Sequence, residues 1–142
     1  MWPRMDLIEG VGSVNPTFIG ANAMREYGKL RGLSLGTDSD AKPVPVANTG
    51  GQGTRDGHWR EAVFGDELLT GFISGSQRPI SAMSIACFED MGYQVNYAAA
   101  QDFQLPNMLM IAEMGLMGDR QRDDTCACHS IRQQVVTPAA LA

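Results

Sequence analysis

Histidine is nearly absent from this chain, with two among 142 residues, and neither stands in an H-E-x-x-H motif. That motif is how one helix presents two zinc-binding imidazoles and a general base, so these residues do not carry a self-sufficient zinc hydrolase of that type. Basic residues are few: 11 Lys and Arg against 16 Asp and Glu, a formal charge of −5. Binding to phosphate backbones needs a concentrated positive face, so a nucleic-acid partner is not expected. No apolar run approaches the roughly 20 residues that span a bilayer. Met1-Trp2-Pro3-Arg4-Met5-Asp6 is not followed by the apolar stretch of a signal peptide.

What is present suits a globular domain of ordinary size. Hydrophobic residues make up 44% of the chain, enough to bury a core, while 16 glycines and seven prolines imply much loop and turn. The three cysteines divide into two settings. Cys87 falls in an apolar helical stretch and reads as a small buried thiol. Cys126 and Cys128 lie with His129 in the tail Asp123-Asp124-Thr125-Cys126-Ala127-Cys128-His129. A C-x-C-H cluster can bind a soft metal, but structural zinc sites space their cysteines more widely and need four ligands, so an unordered terminus is the preferred reading.

Along the chain, Met1 to Asn15 reads as loop with at most one strand. Asn15-Pro16-Thr17 reads as a helix start, and Phe18, Ile19, Ala23, Met24, Tyr27 and Leu30 recur at helical spacing until Gly32. Residues 33–57 are loop-like. The prolines of Pro43-Val44-Pro45-Val46 allow only extended backbone and exclude a central strand. A second helix opens at Arg78-Pro79-Ile80-Ser81, with Ile80, Met83, Cys87, Phe88 and Met91 on one face and Glu89 and Asp90 on the other, and Gly92 closes it. Tyr93 to Tyr97 alternates as a short strand or extended segment. The methionine-rich stretch Met108 to Met114 has helical character and carries no Lys or Arg.

The candidate site is Gly50-Gly51-Gln52-Gly53-Thr54-Arg55-Asp56-Gly57-His58-Trp59-Arg60-Glu61, followed by Asp66-Glu67-Leu68-Leu69-Thr70-Gly71. Glycines before His58 let the backbone thread a crowded cleft. A phosphate cradle would need the run to follow a strand and open a helix with Lys-Ser/Thr, which it does not. A loop histidine bonded locally is the ordinary reading; a metal ligand is the sharper one. Catalytic zinc takes three protein ligands, an open position for water and a carboxylate base. His129, in the tail, is a poor second ligand.

Val44-Pro45-Val46-Ala47-Asn48-Thr49-Gly50-Gly51-Gln52-Gly53-Thr54, His58-Trp59-Arg60-Glu61, Phe64-Gly65-Asp66-Glu67-Leu68 and Ile80-Ser81 through Glu89 to Tyr97 closely resemble the C-terminal half of leishmanolysin-like zinc metalloendopeptidases, which are metzincins. The resemblance runs from about Met1 to Pro106 and leaves 107–142 as a tail, helical and then unordered. It implies an α+β, loop-rich fold with two main helices and few short strands. It also implies that His58 is the third zinc ligand, after an insertion corresponding to Asn15–Gly57. Leu69 then occupies the position of the methionine turn beneath the metal, where the family has methionine.

The same resemblance places the two remaining histidines and the glutamate base on a helix ending shortly before Trp2. Met1 would then fall just downstream of the catalytic motif, so the chain is expected to be a truncated product, inactive alone, with no catalytic residue of its own. The complete enzyme would hold zinc, act on peptide or protein substrates, and be secreted or surface-associated. The contrasting expectation is a non-catalytic binding or scaffold module that kept the fold and lost the chemistry.

Overall fold

The computed structural model describes residues 2–33, 41–73 and 77–106. The methionine-rich stretch and the Cys126, Cys128 and His129 tail therefore lie outside the described residues. A 3-10 turn, Trp2–Met5, leads into β1 (Ile8–Glu9), β2 (Thr17–Phe18), α1 (Ala21–Leu30), β3 (Val44–Pro45), α2 (Glu61–Phe64), α3 (Ala82–Asp90) and a final 3-10 turn, Tyr97–Ala99. This is the α+β, loop-rich arrangement expected. No helix among the described residues is long and apolar enough to cross a membrane.

The three strands form one antiparallel sheet in the order β1-β2-β3, with Ile8 opposite Phe18 and Phe18 opposite Val44. That register sets three buried side chains in one row across the sheet. Pro45 is accommodated because β3 is an edge strand of this sheet, where its missing N–H breaks no interior ladder, while its carbonyl still accepts from Arg60 N–H at 3.2 Å. Thr17 and Phe18 are thus strand residues, which corrects the expected helix start at Asn15-Pro16-Thr17. Helix α1 begins at Ala21, and its end comes from elsewhere in the chain. The Asp90 carboxylate accepts from the backbone N–H of Asn22 at 3.0 Å and of Ala23 at 2.9 Å. Two orphan donors of the first turn are thereby satisfied by a negative charge at the positive end of the helix dipole. A Cβ on Gly20 would stand 2.3 Å from that carboxylate, so only glycine admits the approach. Asp90 is correspondingly half-buried rather than on a solvent face.

Helix α1 packs chiefly against α3. Helix α3 is capped by the Ser81 side chain, which accepts from Ser84 N–H at 3.2 Å. Both helices end as expected at glycines with positive φ, Gly32 and Gly92. Cys87 is buried on α3. The short helix α2 is an element the residue spacing does not announce. Tyr93 to Asn96 forms no strand, and Tyr97 opens the last 3-10 turn.

The core is aromatic. The Trp59 ring lies 4.4 Å from that of Trp2, 5.4 Å from Phe18 and 6.0 Å from Phe64, between centroids. Tyr27 of α1 meets Phe64 at 5.5 Å. Trp59 therefore joins the N-terminal turn, the sheet and α2, and it is the residue directly after His58.

Candidate metal centre

The loop that carries His58 is pinned by its own backbone to the segment just after β3. Ala47 N–H donates to the His58 carbonyl at 2.9 Å, and Asp56 N–H donates to the Ala47 carbonyl at 3.0 Å. Between them the chain makes tight turns, with Thr54 N–H on the Gly51 carbonyl and Gly57 N–H on the Thr54 carbonyl. On the outer side Asp56 accepts from Gly12 N–H, and the Arg55 guanidinium donates to the carbonyls of Gly12 and Ser13. On the inner side a Cβ on Gly71 would stand 2.3 Å from the Thr54 methyl and 3.8 Å from His58 Cβ. Only glycine lets the segment after Leu69 press this closely on the histidine loop.

The His58 ring is half-buried, and its Nδ1 lies 3.2 Å from the Thr54 carbonyl oxygen. A carbonyl oxygen can only accept, so this contact is a hydrogen bond when Nδ1 carries the proton. The neutral ring then keeps its lone pair on Nε2, the arrangement in which a second contact fixes a metal-ligating imidazole. His58 thus fits a zinc ligand. A zinc site needs more: among the described residues, no group of three or more His, Cys, Asp or Glu side chains converges.

Leu69 sits beside this loop. Its carbonyl accepts from Trp59 N–H at 2.9 Å, and its half-buried side chain packs against the core. Its N–H donates to Glu67 Oε2 at 2.7 Å. Glu67 is 1% exposed and serves as an acceptor hub. Its Oε1 accepts from Ser81 N–H at 3.0 Å, from Ser81 Oγ at 2.7 Å, and from Ser84 Oγ. Ser84 Oγ in turn accepts from Trp59 Nε1 at 2.8 Å. A buried carboxylate is tolerable only with such partners.

Glu67, Ser81 and Ser84 are the residues that spacing alone passes over. Glu67 reads as part of a polar turn, and Ser81 reads only as a helix start. Arg60 is likewise fully buried, its guanidinium donating to the carbonyls of Val46 and Pro16. The outward signal is weak: charged residues set among aromatics and small hydroxyls.

Comparison with known proteins gives consistent matches. The peptidase family described as leishmanolysin matches residues 41–112, just over half of the chain. A leishmanolysin-like peptidase of Caenorhabditis elegans is 40% identical over 84 residues, covering 56% of this chain and 11% of that relative. The chain therefore corresponds to a small part of the length of the curated relative it matches. No solved structure matches it.

Proposed function

This chain belongs to the leishmanolysin family of peptidases, and from that premise we propose that it is part of the catalytic domain of a zinc-dependent metalloendopeptidase. In this reading His58 contributes the third zinc-binding imidazole. The observation that carries the proposal is the contact between His58 Nδ1 and the Thr54 carbonyl, which leaves Nε2 free to ligate.

Bound zinc would polarise the scissile carbonyl and lower the pKa of a ligated water to about 7. The residues of this chain supply a smaller set of tasks. His58 donates its Nε2 lone pair, and Thr54 fixes the tautomer. Leu69, at the methionine-turn position, supports the loop through its carbonyl and its apolar side chain. Two further imidazoles and a glutamate base are absent from the 142 residues as an H-E-x-x-H sequence. We assign them to a separate segment of the complete enzyme. The 142 residues alone are therefore expected to show no peptidase activity and to hold zinc weakly, because one imidazole is one ligand of three.

The test is reconstitution. The genomic sequence upstream of the Met1 codon is read in frame for H-E-x-x-H, and the segment so encoded is co-refolded with this chain in zinc. Cleavage of a quenched peptide is expected. His58→Ala in the reconstituted protein is expected to lower zinc affinity and activity by roughly 100-fold or more, since even the partners of zinc ligands are worth about 10–100-fold. Full activity in His58→Ala would sink the assignment. Stable folding of the 142 residues with no upstream motif and no rescue would favour the binding-module alternative.

A further inference from the structure

His58 is followed by a closed circuit of hydrogen bonds. Trp59 N–H donates to the Leu69 carbonyl at 2.9 Å, and Leu69 N–H donates to Glu67 Oε2 at 2.7 Å. Glu67 Oε1 accepts from Ser84 Oγ, which accepts from Trp59 Nε1 at 2.8 Å and so returns to the starting residue. Trp59, Glu67 and Ser84 are all buried, so water offers no substitute partner. The carbonyl of the peptide group that carries Trp59 N–H, His58 C=O, accepts from Ala47 N–H. The His58–Trp59 peptide group is thus held on both of its sides, its carbonyl by Ala47 just after β3 and its N–H by the circuit.

We propose that Glu67 is a positioning residue for His58: its carboxylate locks the 67–69 turn and the N-terminus of α3 to Trp59, and so fixes the imidazole in the Nδ1-protonated orientation. Its meaning for catalysis rests on the reading of His58 as a zinc ligand; its structural content does not. The donors around position 67 call for a carboxylate. All the groups facing Glu67 donate: Leu69 N–H on Oε2, and Ser81 N–H, Ser81 Oγ and Ser84 Oγ on Oε1. An ionised carboxylate accepts at both oxygens. An amide cannot, and either orientation of a glutamine sets its NH2 against a backbone N–H that cannot reverse its role, that of Leu69 or that of Ser81. The serine hydroxyls can rotate; the peptide groups cannot.

The experiment is Glu67→Gln in the full 142-residue chain, read by long-range proton–nitrogen NMR of the His58 ring and by amide hydrogen exchange. The wild-type ring is expected as a single Nδ1–H tautomer. In Glu67→Gln the ring becomes a mixture of tautomers, and the Trp59 and Leu69 amides exchange about 10-fold faster or more, while amides of α1 keep their protection. Ser84→Ala removes one donor to Glu67 and the acceptor of the Trp59 indole but leaves the Leu69 and Ser81 donors in place, so it serves as the milder variant should Glu67→Gln fail to fold. The same change at His58, smaller in size, is expected there.

A tautomer unchanged in whichever variant folds would overturn the proposal. So would an equal loss of protection throughout α1 and α3, the mark of general destabilisation. In the reconstituted enzyme Glu67→Gln is expected to weaken zinc binding by about 10–100-fold, in line with other partners of metal ligands. If reconstitution fails while the tautomer changes, the zinc reading falls and the positioning role stands. If reconstitution succeeds with the tautomer fixed, the reverse holds.

Discussion

A buried guanidinium has to be matched by acceptors, and Arg60 is matched by main-chain carbonyls. Its Nε donates to Val46 at 3.0 Å and its terminal nitrogen to Pro16 at 3.2 Å, at zero exposure. Arg60→Leu keeps apolar bulk but leaves the Val46 carbonyl without this donor. An expected loss of about 2–3 kcal/mol follows from the cost of a buried unsatisfied group, measurable by urea unfolding. Leu69→Met should behave oppositely. The two side chains are similar in volume and Leu69 is only half-buried, so stability is expected to stay within about 1.5 kcal/mol of wild type. Cys87 gives a pH-dependent signature. Burial, with the negative charges of Glu67 and Asp90 adding to it, pushes its thiol from 9.0 up to about 12. The folded state therefore holds the proton more tightly than the unfolded chain. Its contribution to stability is complete below pH 9 and is lost as pH rises toward 12. In a Cys126→Ser, Cys128→Ser background, a thiol reagent at about pH 8 is expected to modify Cys87 only as fast as the protein unfolds. Rapid modification of the folded protein would contradict the burial.

At the scale of elements, α1 depends on a cap that it does not encode. Asp90 reaches its first turn from the last residue of α3, so each helix end is stabilised by the other's position. Asp90→Ala is expected to cost about 1–2 kcal/mol, as loss of an N-cap does, and to fray α1 before α3 in hydrogen exchange. Uniform fraying of both helices would argue that α1 is held by packing alone. The distance of this cap explains what the sequence made legible. Ala23, Met24, Tyr27 and Leu30 display the apolar face of α1 at helical spacing, but its start could not be read because the acceptor lies far along the chain. Local signals served better for α3, whose Ser81 cap and Gly92 terminus are both adjacent to it. Two-residue strands carry no period, so the spacing alone reads Thr17 and Phe18 as helix. His58 stood out through its glycines, whereas the burial of Glu67 and Arg60 arises from contacts between separate segments.

At the largest scale, the described residues are organised around a few rings, and both tryptophans of the chain belong to that cluster. Trp2, 6% exposed, lies 5.3 Å from Phe18 and 4.4 Å from Trp59, between ring centroids. Trp59 carries the circuit beside His58, so the N-terminal turn, the sheet and the candidate ligand share one packing unit. Disruption at Trp2 should therefore travel. Replacing a buried tryptophan by alanine costs about 3–5 kcal/mol in transfer and cavity terms. Domain stabilities are about 5–15 kcal/mol in all, so Trp2→Ala removes a large share of what holds the chain folded. The same geometry makes tryptophan fluorescence a reporter of the entire core. In wild type the fluorescence transition and the helical circular dichroism of α1 and α3 are expected to coincide in urea, as one cooperative unit requires. In Trp2→Ala both midpoints should fall together. A fluorescence transition that precedes loss of helix would mean that the His58 loop and its aromatic support melt as a separate unit, with the α1–α3 pair folding independently of the site.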